Sequence, residues 1–470
     1  MSERHRHYQL STQPKARKEY KYEIKSLGVL DKRDSYDSGN AVEMHNIDTQ
    51  GYPMLRCAKA GAQIGARFAG TILDLTVCDG KIYILRHESE SLFIDEVDPA
   101  SGSSNTITVS SESLDTSVDY SLVRYNEFGS QTDPIGGQYT KKMLILPDYI
   151  TGDIDGSGGY TFCRTEQVPS AQVGTVFMSR VFCAENGKVF ASNFNDVCTY
   201  EFDTADESLG SNAWMSNTQS NTKADGDITA LAVYDGHVVL FKRDYMMQVY
   251  NNKNPFRLVE VGSYGCISRQ AICEFDGKLA FVSPQGVMLY SGGYPYFIGK
   301  ELCIDDWEGT LLCASGELLY MYVPSRSTVY VYDAEHECWG NTNSGGNISF
   351  MCGDFSGAYY MLGHYLYCFG KGGQSAFSIK TAKSSLGYEG RKRICALGGE
   401  VIVGEQSEVT VSLCDENGET HQIKHINSPG AYFINQRICG IAVQYACISL
   451  NGLGDVSMGD FSLTYKKEDE

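Results

Sequence analysis

The run Asp153-Ile154-Asp155-Gly156-Ser157-Gly158 spaces its oxygen donors as the opening of a calcium loop does. Alternating carboxylates followed by Ser and Gly let a tight turn wrap a hard cation. The Glu that should close such a loop belongs at position 164, where Arg164 stands, and Glu166 comes two residues late. Asp153, Asp155 and Ser157 are the metal candidates, and a polar inter-strand turn is the stronger reading of the same residues. His336-Glu337-Cys338 sets an imidazole near a thiol, the pairing a cysteine nucleophile needs. Those residues sit at a strand turn, where crowding is local. No H-E-x-x-H frame, G-x-S-x-G elbow or phosphate-binding G-x-x-x-x-G-K-[ST] loop occurs. Glycan-cleaving propellers place paired carboxylates about a channel, but the S-x-D-x-G-x-T-W box of sialidases is absent. The expectation is a protein that is not an enzyme, with no catalytic residue and no cofactor.

Those side chains need elements to hold them, and the elements repeat. Turn pairs stand at Asp79-Gly80, Gly136-Gly137, Asn186-Gly187, Asp235-Gly236, Asp276-Gly277, Ser315-Gly316 and Ser356-Gly357. They recur every 39 to 57 residues, and Asp-Gly or Asn-Gly supplies the positive φ of a type I′ hairpin. Apolar runs flank them, as in Ile228 to Tyr234 and Val238 to Phe241, and third strands end at polar turns, as in Thr199 to Phe202. A period near 40 to 50 residues with four strands per unit marks a β-propeller blade. One small sheet cannot cover both its faces; a closed ring of them can. The fold class predicted is all-β, a six- or seven-bladed propeller, six favoured, followed by a C-terminal β-sandwich. A strand from the N-terminal side is expected to help close the ring. The boundaries read as 1–25 for a basic arm, 26–372 for the propeller and 373–470 for the sandwich. In the last part, strands are expected at Arg393 to Leu397 and Glu400 to Val403, among others.

Net charge over the 470 residues is −19, against a surface that grips nucleic acid. Arg4, Arg6, Lys15, Arg17, Lys18 and Lys21 make the first 25 residues the exception. This is either a solvated terminus or an arm that docks on an acidic neighbour such as another copy. Residues 203–227 are polar except for Trp214 and Met215, which either tuck onto their own domain or contact a partner. The 16 cysteines form no C-x-x-C pair, so free thiols in a reducing cytoplasm are expected. No apolar run reaches the ~18 residues of a membrane helix.

Within 227–300, Asp235, Gly236, Phe241, Lys242, Gly265, Cys266, Ile267, Asp276, Gly277, Phe281, Ser283, Gly286, Val287 and Gly292 follow a recognisable pattern. It resembles propeller proteins of tailed-phage virions, a tail hub, nozzle or packaged-DNA stabilisation family. Thr381-Ala382-Lys383 and Arg391 to Ile394 fit the sandwich that follows in such proteins. The resemblance implies a structural component of a phage tail or head–tail connector, forming an oligomeric ring, often a hexamer, around the DNA exit channel. It implies other tail or connector proteins as partners, DNA passing without sequence-specific contacts, and a place in the virion after assembly in the host cytoplasm. Two other readings stand beside it: a cytoplasmic propeller serving as a protein-interaction platform, and a glycan-binding propeller.

Overall fold

The computed structural model describes residues 18–468, apart from 25–26, 28, 34–35, 38–39, 111–113, 116, 129–138, 155–158, 164–166, 203–211, 219–225 and 252. The chain is all-β. Its described helical content is two 3-10 turns, Lys300–Leu302 and Pro324–Arg326.

Asp79-Gly80, Asp235-Gly236 and Asp276-Gly277 each hold two successive positive φ values, as type I′ turns require. Each joins the first two strands of a four-stranded antiparallel sheet. Among the described residues five such sheets follow in chain order, spanning 71–110, 121–162, 173–217, 228–262 and 272–297, and the four antiparallel strands of 311–342, the end of a longer sheet, make a sixth group. A seventh takes three strands from 348–368 and its fourth from Ala62–Ile64, with Gln63 opposite Tyr367. This strand from the N-terminal side ties the last sheet to the chain segment that enters the first. Seven such four-strand groups are thus found among the described residues.

The second strands explain why the apolar runs are continuous rather than alternating. Lys81–Glu88, His237–Lys242 and Lys278–Ser283 are buried on both faces because each sheet has a neighbour on either side. The outermost strands, such as Arg257–Gly262, are largely open. Cores therefore lie between sheets. Leu85 and Ile94 of the first pack with Met143 and Ile145 of the second. Leu144 and Leu146 pack with Val181 and Cys183, and Phe182 and Val189 with Leu240 and Met247. Phe241 meets Phe281 with ring centres 4.8 Å apart, and Phe275 meets Tyr332 edge-on. Cys313 and Val329 pack with Tyr360. Met361 and Leu366 of the seventh sheet return to Ile82 and Ile84 of the first, so the ring closes on an interface like the others.

Some turns fall elsewhere than expected. Asn186-Gly187 joins the second and third strands of its sheet; the first hairpin there turns at Met178-Ser179, both with positive φ and neither a glycine. In the seventh sheet the turn is Phe355-Ser356, and Gly357 opens the next strand. Thr199 to Phe202 is not a strand. Gly136-Gly137 lies outside the described residues. Cys163 and Cys198 are joined in a disulfide with Cα atoms 5.5 Å apart, which corrects the expectation of free thiols throughout. The other fourteen are free.

The remaining unit comprises residues up to 47, 51–57 and 376 onward, while 48–50 and 58–375 form the ring. The ring's continuous stretch thus starts at 58, where the sequence placed the propeller start at 26. Tyr20–Ile24 pairs with Val456–Lys467, and Ala41–His45 with Ala376–Thr381, so early residues complete late sheets. One sheet runs through Val456–Lys467, Lys392–Val403 and Gly430–Val443, with Tyr20–Ile24 and Leu55–Cys57 sharing its first edge. The other orders as Ala41–His45, Ala376–Thr381, Cys447–Leu453, Glu408–Cys414 and Thr420–Ile426. Arg393 to Leu397 and Glu400 to Val403 are one strand, not two. Gly398 and Gly399 bridge them because a Cβ on Gly399 would lie 2.4 Å from the Phe461 ring.

Candidate functional site

In the ring, the first strands of the first, second, fifth, sixth and seventh sheets line a cavity of about 360 Å³ bordered by Asp74, Thr76, Arg269, Glu274, Phe350 and Met351. The register slips between Ile72 and Asp74, and such bulges re-aim a side chain. The Asp74 carboxylate accepts Leu122 N–H at 2.8 Å through Oδ2 and Arg269 Nη1 at 3.0 Å through Oδ1. Arg269 arises between the fourth and fifth sheets and also donates to the Tyr120 carbonyl, just before the second sheet. One guanidinium therefore ties the 263–271 connection to the first and second sheets across the ring. Asp74 is 4% exposed. With both its oxygens engaged and Arg269 beside it, this carboxylate is arranged as a brace.

Cys273, Cys313 and Cys352 border the same cavity on three consecutive sheets. Each stands three residues ahead of its hairpin turn, and Thr76 holds that register in the first sheet. Burial pushes the Cys273 thiol up to about 12 and raises Cys313 and Cys352 as well. Such thiols stay protonated and pack as small apolar groups.

The residues singled out in the sequence separate in space. Asp153 ends the strand Ile150–Asp153, and its carboxylate lies 3.9 Å from Lys142 Nζ; Asp155 and Ser157 fall outside the described residues. His336 Nδ1 is 2.8 Å from Asp333 Oδ2, and that carboxylate raises the imidazole. Burial pushes Cys338 up to about 11. The His–Cys pair is thus a turn held by Asp333, which also accepts the N–H groups of Glu335 and His336. At the start of the chain, Arg4, Arg6, Lys15 and Arg17 lie outside the described residues. Lys18 sits over the Tyr20 ring, and Lys21, in the strand Tyr20–Ile24, pairs with Glu23 at 3.3 Å. Trp214 and Met215 belong to the strand Trp214–Asn217. Trp214 packs edge-on against Phe256, while Met215 is exposed.

Sequence reasoning missed the Asp74–Arg269 brace, whose partners are 195 positions apart with no local signal. It also missed what the first hairpin turns share. Strand direction puts those among the described residues at one end of the ring, and they carry Asp79, Asp235, Asp276 and Glu317, all exposed. Lys141 answers Asp79 at 2.5 Å and Lys278 answers Asp276 at 3.2 Å. Phe355, in the equivalent turn of the seventh sheet, is 87% exposed. Among the described residues no helix is long and apolar enough to cross a membrane.

No protein-family profile matches this chain, and no curated protein matches it. Solved structures similar to it include apo AztD from Citrobacter koseri, at 10% identity and TM-score 0.34, covering 69% of this chain and 90% of that one. A nidogen/laminin complex matches at 11% identity and TM-score 0.27, over 58% of this chain and 81% of that chain. An exo-β-1,3-galactanase from Phanerochaete chrysosporium matches at 8% identity and TM-score 0.28, over 86% and 99%. At these values the likenesses carry no functional argument; the fold rests on the strand pairing above.

Proposed function

We propose that the protein is a binding scaffold whose ring presents its first-hairpin end to a basic protein segment. The supporting observation is Phe355, an aromatic ring almost fully in water, at an end whose other turns carry Asp235, Asp276 and Glu317. Exposed aromatics beside fixed charge are the usual anchors of a protein interface. A basic segment is available in the chain itself: residues 1–18 carry Arg4, Arg6, Lys15, Arg17 and Lys18. In this reading that segment of one copy binds the acidic end of another. Fluorescence anisotropy with a labelled 1–18 peptide tests it. Binding should weaken steeply with salt and fail for a Phe355→Ala, Asp235→Asn, Glu317→Gln variant. Equal binding to that variant would remove the proposal.

The tail or head–tail component that the phage resemblance implies is a narrower form of the same assembly role. The residues carrying the resemblance are largely turn and packing positions: Asp235, Gly236, Asp276 and Gly277 are hairpin turns, and Phe241 and Phe281 are core. Any blade needs such residues, so the resemblance supports the fold more than the role. Antibody labelling of purified virions tests the role itself; unlabelled particles would end it.

A further inference from the structure

In the unit outside the ring, Glu408–Cys414 and Cys447–Leu453 are neighbouring antiparallel strands, and Cys414 stands directly opposite Cys447. Directly opposed residues have Cα atoms ~4.5–5.5 Å apart, inside the ~4.4–6.8 Å span that a disulfide bridges. Their side chains leave the sheet on the same face. The Cys447 thiol faces the Cys414 sulfur across the strand pair, and each shifts the other's titration. Thr420 Oγ1 lies 3.5 Å from that sulfur on the far side, and Lys380 is the nearby cation. No such partner faces the ring thiols: Cys273, Cys313 and Cys352 stand opposite Ala280, Tyr320 and Tyr359.

We propose that Cys414 and Cys447 are a reactive dithiol that closes into a cross-strand disulfide on meeting a low-molecular-weight disulfide such as oxidised glutathione. The Cys414 thiolate attacks one sulfur of the oxidant, breaks its S–S bond and releases one thiolate. Cys447 then gives up its proton and attacks the Cys414 sulfur, expelling the second thiolate. Two protein thiols are oxidised, and one small disulfide is reduced to two thiols. The facing Cys447 thiol lowers Cys414 and is itself raised, which gives the pair one attacking and one resolving sulfur. Both residues are covered in the closed sheet, at 3% and 1% exposure. Entry is through the hairpin's outer strand Thr420–Ile426, an edge strand that is mostly exposed. Fraying there uncovers Cys414 from the Thr420 side.

Peptide mapping of the full chain after incubation with oxidised glutathione, with remaining thiols alkylated, tests this. The expected result is a linked Cys414–Cys447 peptide pair, with Cys273, Cys313 and Cys352 still alkylated. In Cys447→Ser, Cys414 should accumulate as its glutathione adduct, because the resolving step is lost. An unchanged thermal transition certifies that variant's fold, and the wild-type map stands without it. Alkylated Cys414 and Cys447 in wild type, alongside glutathionylated exposed Cys303 and Cys439, would overturn the proposal.

Discussion

Burial falls on the two units of the chain in different patterns. In the ring, second strands such as His237–Lys242 and Lys278–Ser283 are buried on both faces. In the other unit, burial alternates along strands such as Ala376–Thr381 and much of Val456–Lys467. Continuous burial records a neighbour on each side; alternation records one covered face and one open face. The same residue type therefore carries different chemistry in the two places. A ring thiol such as Cys313 points into an inter-sheet core and has only packing to do, while Cys414 meets a second thiol across its strand.

Truncating a ring core residue should be the harshest test of that contrast. Phe281→Ala, at 0% exposure and against Phe241, should cost about 3–5 kcal/mol in denaturant unfolding. Ile402→Ala, on an exposed position of the other unit, should cost well under ~1 kcal/mol. Equal losses would erase the difference between the units.

Next in size is the brace across the ring. Asp74→Asn strands the Arg269 guanidinium, and a loss of about 3 kcal/mol is expected. A double substitution, Asp74→Asn with Arg269→Met, should recover part of it, because the uncompensated charge goes too. Additive losses in the cycle would mean that the two groups do not act together.

A turn substitution comes third. Gly236 holds φ at +72° with open space where a Cβ would go. Gly236→Val should therefore cost about 1–2 kcal/mol from backbone strain alone. Gly373→Ala, also in open space but with no positive φ, should leave unfolding nearly unchanged.

The smallest effect is a pH dependence confined to the ring. Asp333 raises His336, so the stability this pair adds is full below the unfolded pKa, near 6.5. It fades as pH rises through the higher folded value. The melting temperature of wild type should fall relative to His336→Gln as pH goes from about 6 to 8; parallel curves would contradict the pairing.

The repeat was legible because Asp79-Gly80, Asp235-Gly236 and Asp276-Gly277 are local signals: two adjacent residues fix the turn. Met178-Ser179 makes the same turn without either signature residue, so the third sheet's glycine signal, Asn186-Gly187, marks its second hairpin instead of its first. Tyr20–Ile24 and Ala41–His45 were invisible as parts of the late sheets, because pairing across more than 300 positions leaves no mark in short windows. The candidate site was less legible than the fold. Asp74 and Arg269 meet only after the ring has formed, and Cys414 and Cys447 only once the sheet register is set.

The strand Ala62–Ile64 completes the seventh sheet and ties the end of the ring to its start. Substituting Gln63→Cys together with Tyr367→Cys places two thiols on directly opposed residues of that closing pair. Non-reducing peptide mapping of the folded double variant should find them joined by a disulfide under mild oxidation. Free thiols at both positions, with the Gln63→Cys, Tyr365→Cys control joined instead, would contradict the register and with it the closed seven-sheet ring.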